Sequence, residues 1–389
     1  PNIIITGNEI LEIENIIKGD GYSKPIYGDF EEYKIMEFGH FKRSELITKW
    51  HTMGREHLIE EAELLKNHDK SQQIMDSIIG NNLVPSYPIF LLTLLQTMEI
   101  GNPHSLKEST YGYYYYALIF QSLARVGLSH DDLDAYLNYI SELAYYLFYK
   151  KLLEVAESNL SSFHSWYCNY YKTTNLDFDK VLSKLVSASI LKQDKGVYKF
   201  RYKYIYYYFV AKYFSNKINE DEIRGIVSTL CGQIYIEESA NIILFLTHHS
   251  KDPFVLEKIL ENSRMIFSEM QPIKFEKDIE EINTLIVELP KQVFLKTDTA
   301  ENRKEKFRIQ DSFELFLEEK EVASSREEIA NEVDFEIDHI SKLNFAMKTL
   351  EIIGQVLKNY YGSLDGEKKY ELLEQSYLIG LRSISAVFK

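Results

Sequence analysis

The sequence lacks the signatures of most catalytic and metal-binding proteins. It contains no Gly-Lys-Ser or Gly-Lys-Thr, and so no phosphate-binding loop, and it has neither an HExxH nor a CxxC motif. Without that loop these 389 residues are not expected to hydrolyse ATP by themselves. The two cysteines, Cys168 and Cys231, are too far apart in sequence to form a metal cluster alone. So few thiols are typical of a reducing compartment, and we expect a cytoplasmic protein with structural cysteines.

Glycine, proline and long apolar runs are also scarce. The 17 glycines and 8 prolines are too few for long linkers or many-stranded sheets. No segment reaches the ~18 apolar residues needed to cross a bilayer, because the longest tract, residues 235–246, contains Glu237 and Glu238. A net charge of −15 repels nucleic acid and anionic membranes, so we expect neither as a partner of the whole chain.

Polar residues give no catalytic constellation that can be identified without a fold. His248 and His249 are adjacent, but neighbours in a helix point to different sides, which argues against a shared metal ion. Acidic pairs such as Glu60-Glu61 are expected on solvated helix faces. We therefore predict no catalytic residue and no metal site in this chain.

The hydrophobic pattern predicts a short α/β segment followed by helices. Ile3, Ile4 and Ile5 form an apolar run ended by Gly7, which is typical of a strand buried on both faces. Residues 33–38 predict a second strand. The length of the chain favours two or three domains, and a mainly α fold is predicted for the rest.

Turn and cap residues divide the helical part. Ser44 is a candidate N-cap for a helix over residues 44–57, and Pro88 suits the first turn of a helix over 89–98. The charged residues 296–306 predict a mobile connection. The last helical segment is expected to break at residues 362–366.

Residues 177–214 have a different pattern. A one-faced helix precedes two short strands around the turn Asp194-Lys195-Gly196, and a tyrosine-rich helix over 203–214 follows. This order predicts a winged-helix unit. Its basic residues could contact a phosphate backbone, but the acidic rest of the chain favours the alternative that they are strand residues that face water; they are Lys192, Lys195, Lys199, Arg201 and Lys203.

The order of these pieces resembles the part of a STAND ATPase that follows its phosphate-binding and magnesium-binding motifs. The likeness is to the NACHT-like type of bacterial antiviral-defence proteins, and it covers roughly residues 1–215. Residues 2–8 are similar to the sensor strand, and the matching polar positions are Thr6 and Asn8, where the family often has an arginine. Pro88 resembles the proline of the helical domain that packs beside the adenine.

The most specific part of the resemblance lies in residues 200–211. Phe200, Tyr208, Phe209 and Ala211 match the aromatic winged-helix motif of NACHT proteins. Tyr202 stands where the family commonly has a histidine that contacts the β-phosphate of ADP. A tyrosine hydroxyl can donate one hydrogen bond there but cannot become cationic. The alternative is that these aromatic residues simply form a core helix.

The resemblance implies four parts and a set of ligands and partners. Residues 1–42 would end a P-loop α/β ATPase core, 43–150 would form a helical lid, 151–218 the winged helix, and 219–389 a helical sensor or oligomerisation domain. The implied nucleotide is ATP or ADP with Mg²⁺, whose ligands would precede Pro1. The implied partners are further copies of the chain and a phage protein or other foreign trigger. The implied effector, a NAD-degrading enzyme or a nuclease, would also lie upstream.

Two functions from other classes remain open at this point. A DNA-binding regulator would use the winged helix, and charge reversal at Lys195 and Lys199 would abolish its salt-dependent binding to duplex DNA. A helical scaffold would bind no nucleotide at all. Titration with ADP separates the scaffold from a nucleotide switch.

Overall fold

A computed structural model describes residues 35–54, 59–79, 83–100, 110–128, 130–173, 176–250, 252–274, 299–324, 339–360 and 362–388. These residues are mainly helical with one small sheet, which confirms the predicted fold class. None of the helices in these ranges has the length and apolar character that a bilayer crossing requires. In chain order the elements are α1 (His40–Thr52), α2 (Glu61–Ile79), α3 (Pro88–Ile100), α4 (Thr110–Ala124), α5 (His130–Lys150), β1 (Val155–Ala156), α6 (Glu157–Tyr171), α7 (Phe178–Ser187), β2 (Leu191–Asp194), β3 (Val197–Phe200), α8 (Lys203–Asn216), α9 (Asp221–Gly232), α10 (Glu237–His249), α11 (Pro253–Met265), α12 (Thr299–Ser324), α13 (His339–Tyr360) and α14 (Gly366–Phe388).

The chain divides into two compact units, residues 1–37 and residues 38–389. All of the elements named above belong to the second unit. Helix α1 begins at His40, and the boundary predicted after residue 42 stays a prediction. The boundaries predicted after residues 150 and 218 fall within the second unit and stay predictions.

The sheet is antiparallel, with the strand order β1-β3-β2. Strands β2 and β3 are joined by a tight turn in which Lys195 and Gly196 have φ values of 49° and 80°. Positive φ at both central residues is the signature of a type I′ turn, which suits the twist of a hairpin and favours glycine. The hairpin predicted around Asp194-Lys195-Gly196 is therefore confirmed.

Helix α8 is the centre of the core. It packs between α5 and α10. Four of the largest fully buried side chains in the described part of the molecule lie on it: Tyr204, Tyr208, Phe209 and Phe214. A helix with apolar residues on all sides is stable only when neighbours cover all of its sides. Helix α8 therefore connects the part of the chain that contains the sheet to the helices that follow it.

The C-terminal helices pack as successive pairs. Helix α10 contacts α9 and α13, while α11 contacts α9 and α14, and α13 and α14 lie against each other. Tyr360 closes this arrangement because its hydroxyl donates to the carbonyl oxygen of His248 at 3.1 Å. The break predicted at residues 362–366 is confirmed, since α13 ends at Tyr360 and α14 begins at Gly366.

Helix α12 is fastened to the start of α1 by a carboxylate. The N-cap residue of α1, Gly39, has no side chain to cap the helix, and Asp311 of α12 accepts hydrogen bonds from the backbone N–H groups of His40 and Phe41. A carboxylate at a helix N-terminus satisfies free donors and opposes the positive end of the dipole. A Cβ at Gly39 would come within 2.6 Å of Asp311 Oδ1, so glycine provides the space for this contact.

We expect Gly39→Ala to weaken the attachment of α12 to the start of α1. The added methyl group would displace the Asp311 carboxylate, at a cost of about 1–2 kcal/mol for a lost helix cap. Hydrogen exchange should show faster exchange of amides in the first half of α12. The control is Gly354→Ala in α13, where an added Cβ meets no atom within 4 Å. Unchanged protection of α12 in Gly39→Ala would mean that the carboxylate does not anchor it.

Three local predictions are wrong where the structure can be compared with them. Ser44 is not an N-cap but lies inside α1, because the cap comes from a residue far along the chain. Residues 35–38, the described part of the predicted second strand, form no strand. Residues 299–306 belong to the 26-residue helix α12 rather than to a mobile connection, because charged residues with few β-branched side chains also favour a helix.

Candidate functional site at the junction of two helix ends

The loop before α3 places Pro88 at the first position of that helix, as the sequence predicts. Proline suits this position because its missing N–H has no partner within the helix and its φ is already helical. The loop is held by Phe38, whose N–H donates to the carbonyl of Ser86 at 2.9 Å. The Ser86 hydroxyl donates to the carbonyl of Phe38 at 2.7 Å, so two hydrogen bonds fix the approach to the helix.

The end of the hairpin places Tyr202 at the start of α8. Arg201 N donates to the Ile190 carbonyl at 2.9 Å, next to the first residue of β2. Tyr202 then has an extended backbone (φ −129°, ψ 140°) and is the N-cap residue of α8, although its side chain makes no capping hydrogen bond. The Tyr202 side chain therefore does not cap α8, and its contacts are with other side chains.

These two helix ends meet through aromatic rings. Phe90, in the first turn of α3, lies edge-on to Tyr202 with ring centroids 5.4 Å apart. The Tyr202 hydroxyl accepts a hydrogen bond from Arg201 Nε at 3.3 Å, and the Arg201 guanidinium lies 5.7 Å from the centre of the ring. A hydroxyl that accepts one hydrogen bond can still donate its own proton.

The electrostatics of this junction favour an anion. Neither α3 nor α8 has an acidic residue in its first turn, whereas α9 and α10 each have two there. Helix N-termini carry a partial positive charge and present N–H donors, which makes them suitable for phosphate. Arg201 adds a full positive charge. Lys203 contributes less, because it pairs with Glu237 at 2.9 Å.

The residues that match the aromatic motif in the sequence have mainly a packing role. Tyr208, Phe209 and Ala211 are fully buried in α8. Phe200, the last residue of β3, is partly buried and lies 5.6 Å from the Tyr206 ring. The burial of Tyr208, Phe209 and Ala211 agrees with the alternative of a core helix, and the contact with the neighbouring helix end is made by Tyr202.

The predicted nucleotide residues are only partly comparable. The structure brings the first turn of α3, which starts at Pro88, to Tyr202. Thr6 and Asn8 lie outside the described residues. The assignment of these four residues to a nucleotide site stays a prediction.

The basic residues of the hairpin divide into two groups. Lys192 and Lys199 are directly opposite each other across β2 and β3, and Lys195 is exposed in the turn. Arg201 and Lys203 contact Tyr202 and Glu237, respectively. Of these five residues, Lys203 is paired with a carboxylate, whereas Arg201 keeps its charge beside the neutral Tyr202 ring.

A buried polar cluster between α1, α2 and α12 is not visible in the sequence. Ser44 Oγ lies 2.9 Å from His68 Nε2, and Arg303 Nη1 lies 3.3 Å from His68 Nδ1. Burial, and then Arg303, lowers the pKa of His68 below its usual value. Arginine can only donate, so Nδ1 accepts and the ring proton is on Nε2. His68 therefore cannot take a proton from Ser44, and the pair is no catalytic dyad.

Another polar group at the same interface has the composition of a metal site. The ligand atoms of His40, Asp311 and Glu314 lie within 4.8 Å of one another. All three already have protein partners: Asp311 caps α1, and His40 Nε2 lies 2.8 Å from Glu314 Oε1. A helix cap and a hydrogen bond between His40 and Glu314 account for the cluster. Only the fold could reveal it, because these residues are about 270 positions apart.

His248 and His249 face different partners, as neighbours in a helix should. The His248 ring lies near Tyr115 and Asn359, and the His249 ring packs on Tyr208 with centroids 4.4 Å apart. Burial lowers the pKa of His248 to about 3. The ring is therefore neutral at physiological pH.

The match to a known protein family lies in the segment that contains the small sheet and the first part of α8. A sequence model of the family described as Novel STAND NTPase 4 matches residues 153–210. The match runs from just before β1 into α8 and includes Phe200, Tyr202, Tyr208 and Phe209. It relates this segment to STAND NTPases, a class of signalling NTPase. Among curated proteins, none matches the sequence.

Proposed function

We propose that this chain is the nucleotide-responsive part of a bacterial STAND NTPase of the NACHT-like type. In this proposal residues 151–218 form a winged helix. The observed order α5, β1, α6, α7, β2 and β3, with β1 and β2 on either side of β3, supports that assignment. The family match over residues 153–210 supports the STAND relationship.

The observation that carries the proposal is the contact between Phe90 and Tyr202. It joins the first turn of the proposed lid helix to the N-cap of the proposed winged helix. A nucleotide whose adenine lies beside Pro88 and whose β-phosphate reaches Tyr202 would bridge the two. The N-terminus of α8 and Arg201 would favour the phosphate charge, whereas α3 begins at Pro88, which has no N–H, and the N–H of Phe90 donates to the Tyr87 carbonyl.

The bridge would act as a switch because it exists in one conformation only. Bound ADP would make contacts with the lid and the winged helix together, and these contacts would favour the closed form. To move a population from mostly closed to mostly open, a trigger needs about 5.5 kcal/mol of preference for the open form. A phage protein that binds the C-terminal helices, together with exchange of ADP for ATP, would supply that preference. The open form would then self-associate and activate an effector domain.

We expect Tyr202→Phe to weaken ADP binding by about tenfold to a hundredfold. The substitution removes one hydrogen bond to a charged phosphate, worth about 1.5–3 kcal/mol, and it keeps the ring that packs on Phe90. The measurement is a titration of ADP into the protein that includes the ~200–300 residues expected for an ATPase core ahead of this chain.

The control for this titration is Tyr170→Phe, which removes the hydroxyl of an exposed tyrosine on α6. Its ADP affinity should equal that of the unmodified protein. Equal affinity in Tyr202→Phe would remove Tyr202 from the site. A protein that binds no ADP at all would favour the scaffold alternative.

A further inference from the structure

Helix α14 is apolar on two opposite faces. The inner face contains Leu372, Ile379 and Ala386, which are buried where α14 packs against α11 and α13. The outer face carries large apolar side chains with exposures of 69%, 45%, 71%, 40% and 60%; they are Tyr370, Leu373, Tyr377, Ile384 and Val387. A surface helix normally has one apolar stripe and a polar opposite face. The second stripe of α14 therefore needs an explanation.

The exposed side chains follow a strict spacing. Together with Gly380, where an added Cβ would meet no atom within 4 Å, they occur at alternate intervals of three and four residues. This spacing is that of the a and d positions of a coiled coil, and any helix with one apolar stripe shares it over this length. We name these six positions, 370, 373, 377, 380, 384 and 387, the outer seam. Tyr370, Tyr377 and Ile384 are a positions, and Leu373, Gly380 and Val387 are d positions.

The charges beside the outer seam indicate what covers it. Lys369 is a g position and Glu374 is the e position five residues later. In a parallel two-stranded coiled coil the g residue of one helix faces the e residue five positions on in the other, and such pairs set partner and orientation. Two copies of α14 would thus form two Lys369–Glu374 contacts related by twofold symmetry. An antiparallel pair brings e against e and g against g, and loses both contacts.

We propose that α14 is a self-association surface, on which two copies of this chain pair in parallel along the outer seam. The β-branched Ile384 at an a position and Leu373 at a d position are the types that favour two parallel strands. The seam spans fewer than three heptads, so the association is weak and depends on protein concentration. The outer seam lies on α14 alone, and pairing along it needs no nucleotide. This proposal therefore does not depend on the proposed switch.

Sedimentation equilibrium over a range of concentrations tests the association. The unmodified chain is expected to change from monomer to dimer as concentration rises. Tyr377→Glu, which buries two like charges in the seam, should weaken the dimer by at least about tenfold. The side chain of Tyr377 is 71% exposed in one copy, so the variant should keep the helical circular dichroism of the unmodified chain. A chain that stays monomeric, or a Tyr377→Glu variant that associates as well as the original, would overturn the proposal.

Disulfide trapping tests the orientation. In a parallel pair each d residue faces its own copy, so Leu373→Cys should oxidise to a covalent dimer within the geometry a disulfide allows. The background is Cys168→Ser, since Cys231 is buried and unreactive. Glu257→Cys on the exposed side of α11 is the control and should stay monomeric. An antiparallel pair would instead link Leu373→Cys to Ile384→Cys in a mixture of the two variants, and that result would overturn the parallel arrangement.

Discussion

Truncation of Phe209 to alanine is expected to lower the free energy of unfolding by about 3–5 kcal/mol, the range found when a buried phenylalanine leaves a cavity. Phe209 is fully buried in α8, the helix between α5 and α10. Its backbone carbonyl also accepts a hydrogen bond from Ser141 of α5 at 3.2 Å, so the backbone around it has little room to collapse into the cavity. Denaturant unfolding of the two proteins measures the difference.

The matched control for Phe209→Ala is Tyr170→Ala. Tyr170 is 61% exposed on α6, and its loss should change the free energy of unfolding by no more than about 0.5 kcal/mol. The account would be contradicted by a cost at Phe209 as small as that at Tyr170. Such a result would mean that α8 is not the structural centre of the described part of the chain.

Acidification is expected to destabilise the folded protein, and His248 is one of the residues responsible. Burial lowers the pKa of this residue to about 3 in the folded state, whereas an unfolded histidine has a pKa of about 6.5. The unfolded state therefore binds the additional proton between these values. The contribution to stability is complete above pH ~6.5 and falls by about 1.4 kcal/mol for each pH unit below it. At pH ~4 the expected loss is about 3 kcal/mol from this residue.

Replacement of the His248 imidazole separates the loss of stability caused by its protonation from the loss caused by carboxylates, which also titrate in acid. His248→Gln removes the titration and retains a side chain that can accept from Asn359 Nδ2, which lies 3.4 Å from His248 Nδ1. The variant is expected to start less stable at pH 7 and to lose less stability between pH 6.5 and 4. Burial, and then Lys212, also lowers the pKa of His249 to about 3, so His248→Gln should keep the share of the acid sensitivity that comes from His249. Identical slopes in the two proteins would show that His248 is protonated equally in both states.

Local signals in the sequence predicted the parts of the fold that depend on neighbouring residues. The turn Asp194-Lys195-Gly196 predicted the hairpin because a type I′ turn needs residues that accept positive φ. The break at residues 362–366 could be predicted in the same way. The prediction that Ser44 caps the helix was wrong, because the cap is supplied by Asp311 of α12, 270 positions from Phe41. No local sequence pattern indicates a cap that is supplied by so distant a residue.

The candidate site likewise combines a local signal, which the sequence shows, with a long-range contact, which it does not show. Pro88 could be predicted at the start of a helix because proline is suited to the first turn. The contact between Phe90 and Tyr202 joins residues more than a hundred positions apart, and only packing determines it. The outer seam of α14 is the opposite case: its period is readable in the sequence, but its exposure is not.

The central claim is that a nucleotide lies between the start of α3 and the start of α8. Photolabelling tests it most directly: a longer protein that includes the proposed ATPase core is irradiated with an azidoadenine analogue of ADP, and the labelled peptides are identified by mass spectrometry. The account predicts a label on the peptide that contains Pro88 and Phe90, which unlabelled ADP in excess prevents. A label confined to residues ahead of this chain, with none on α3 or α8, would contradict it.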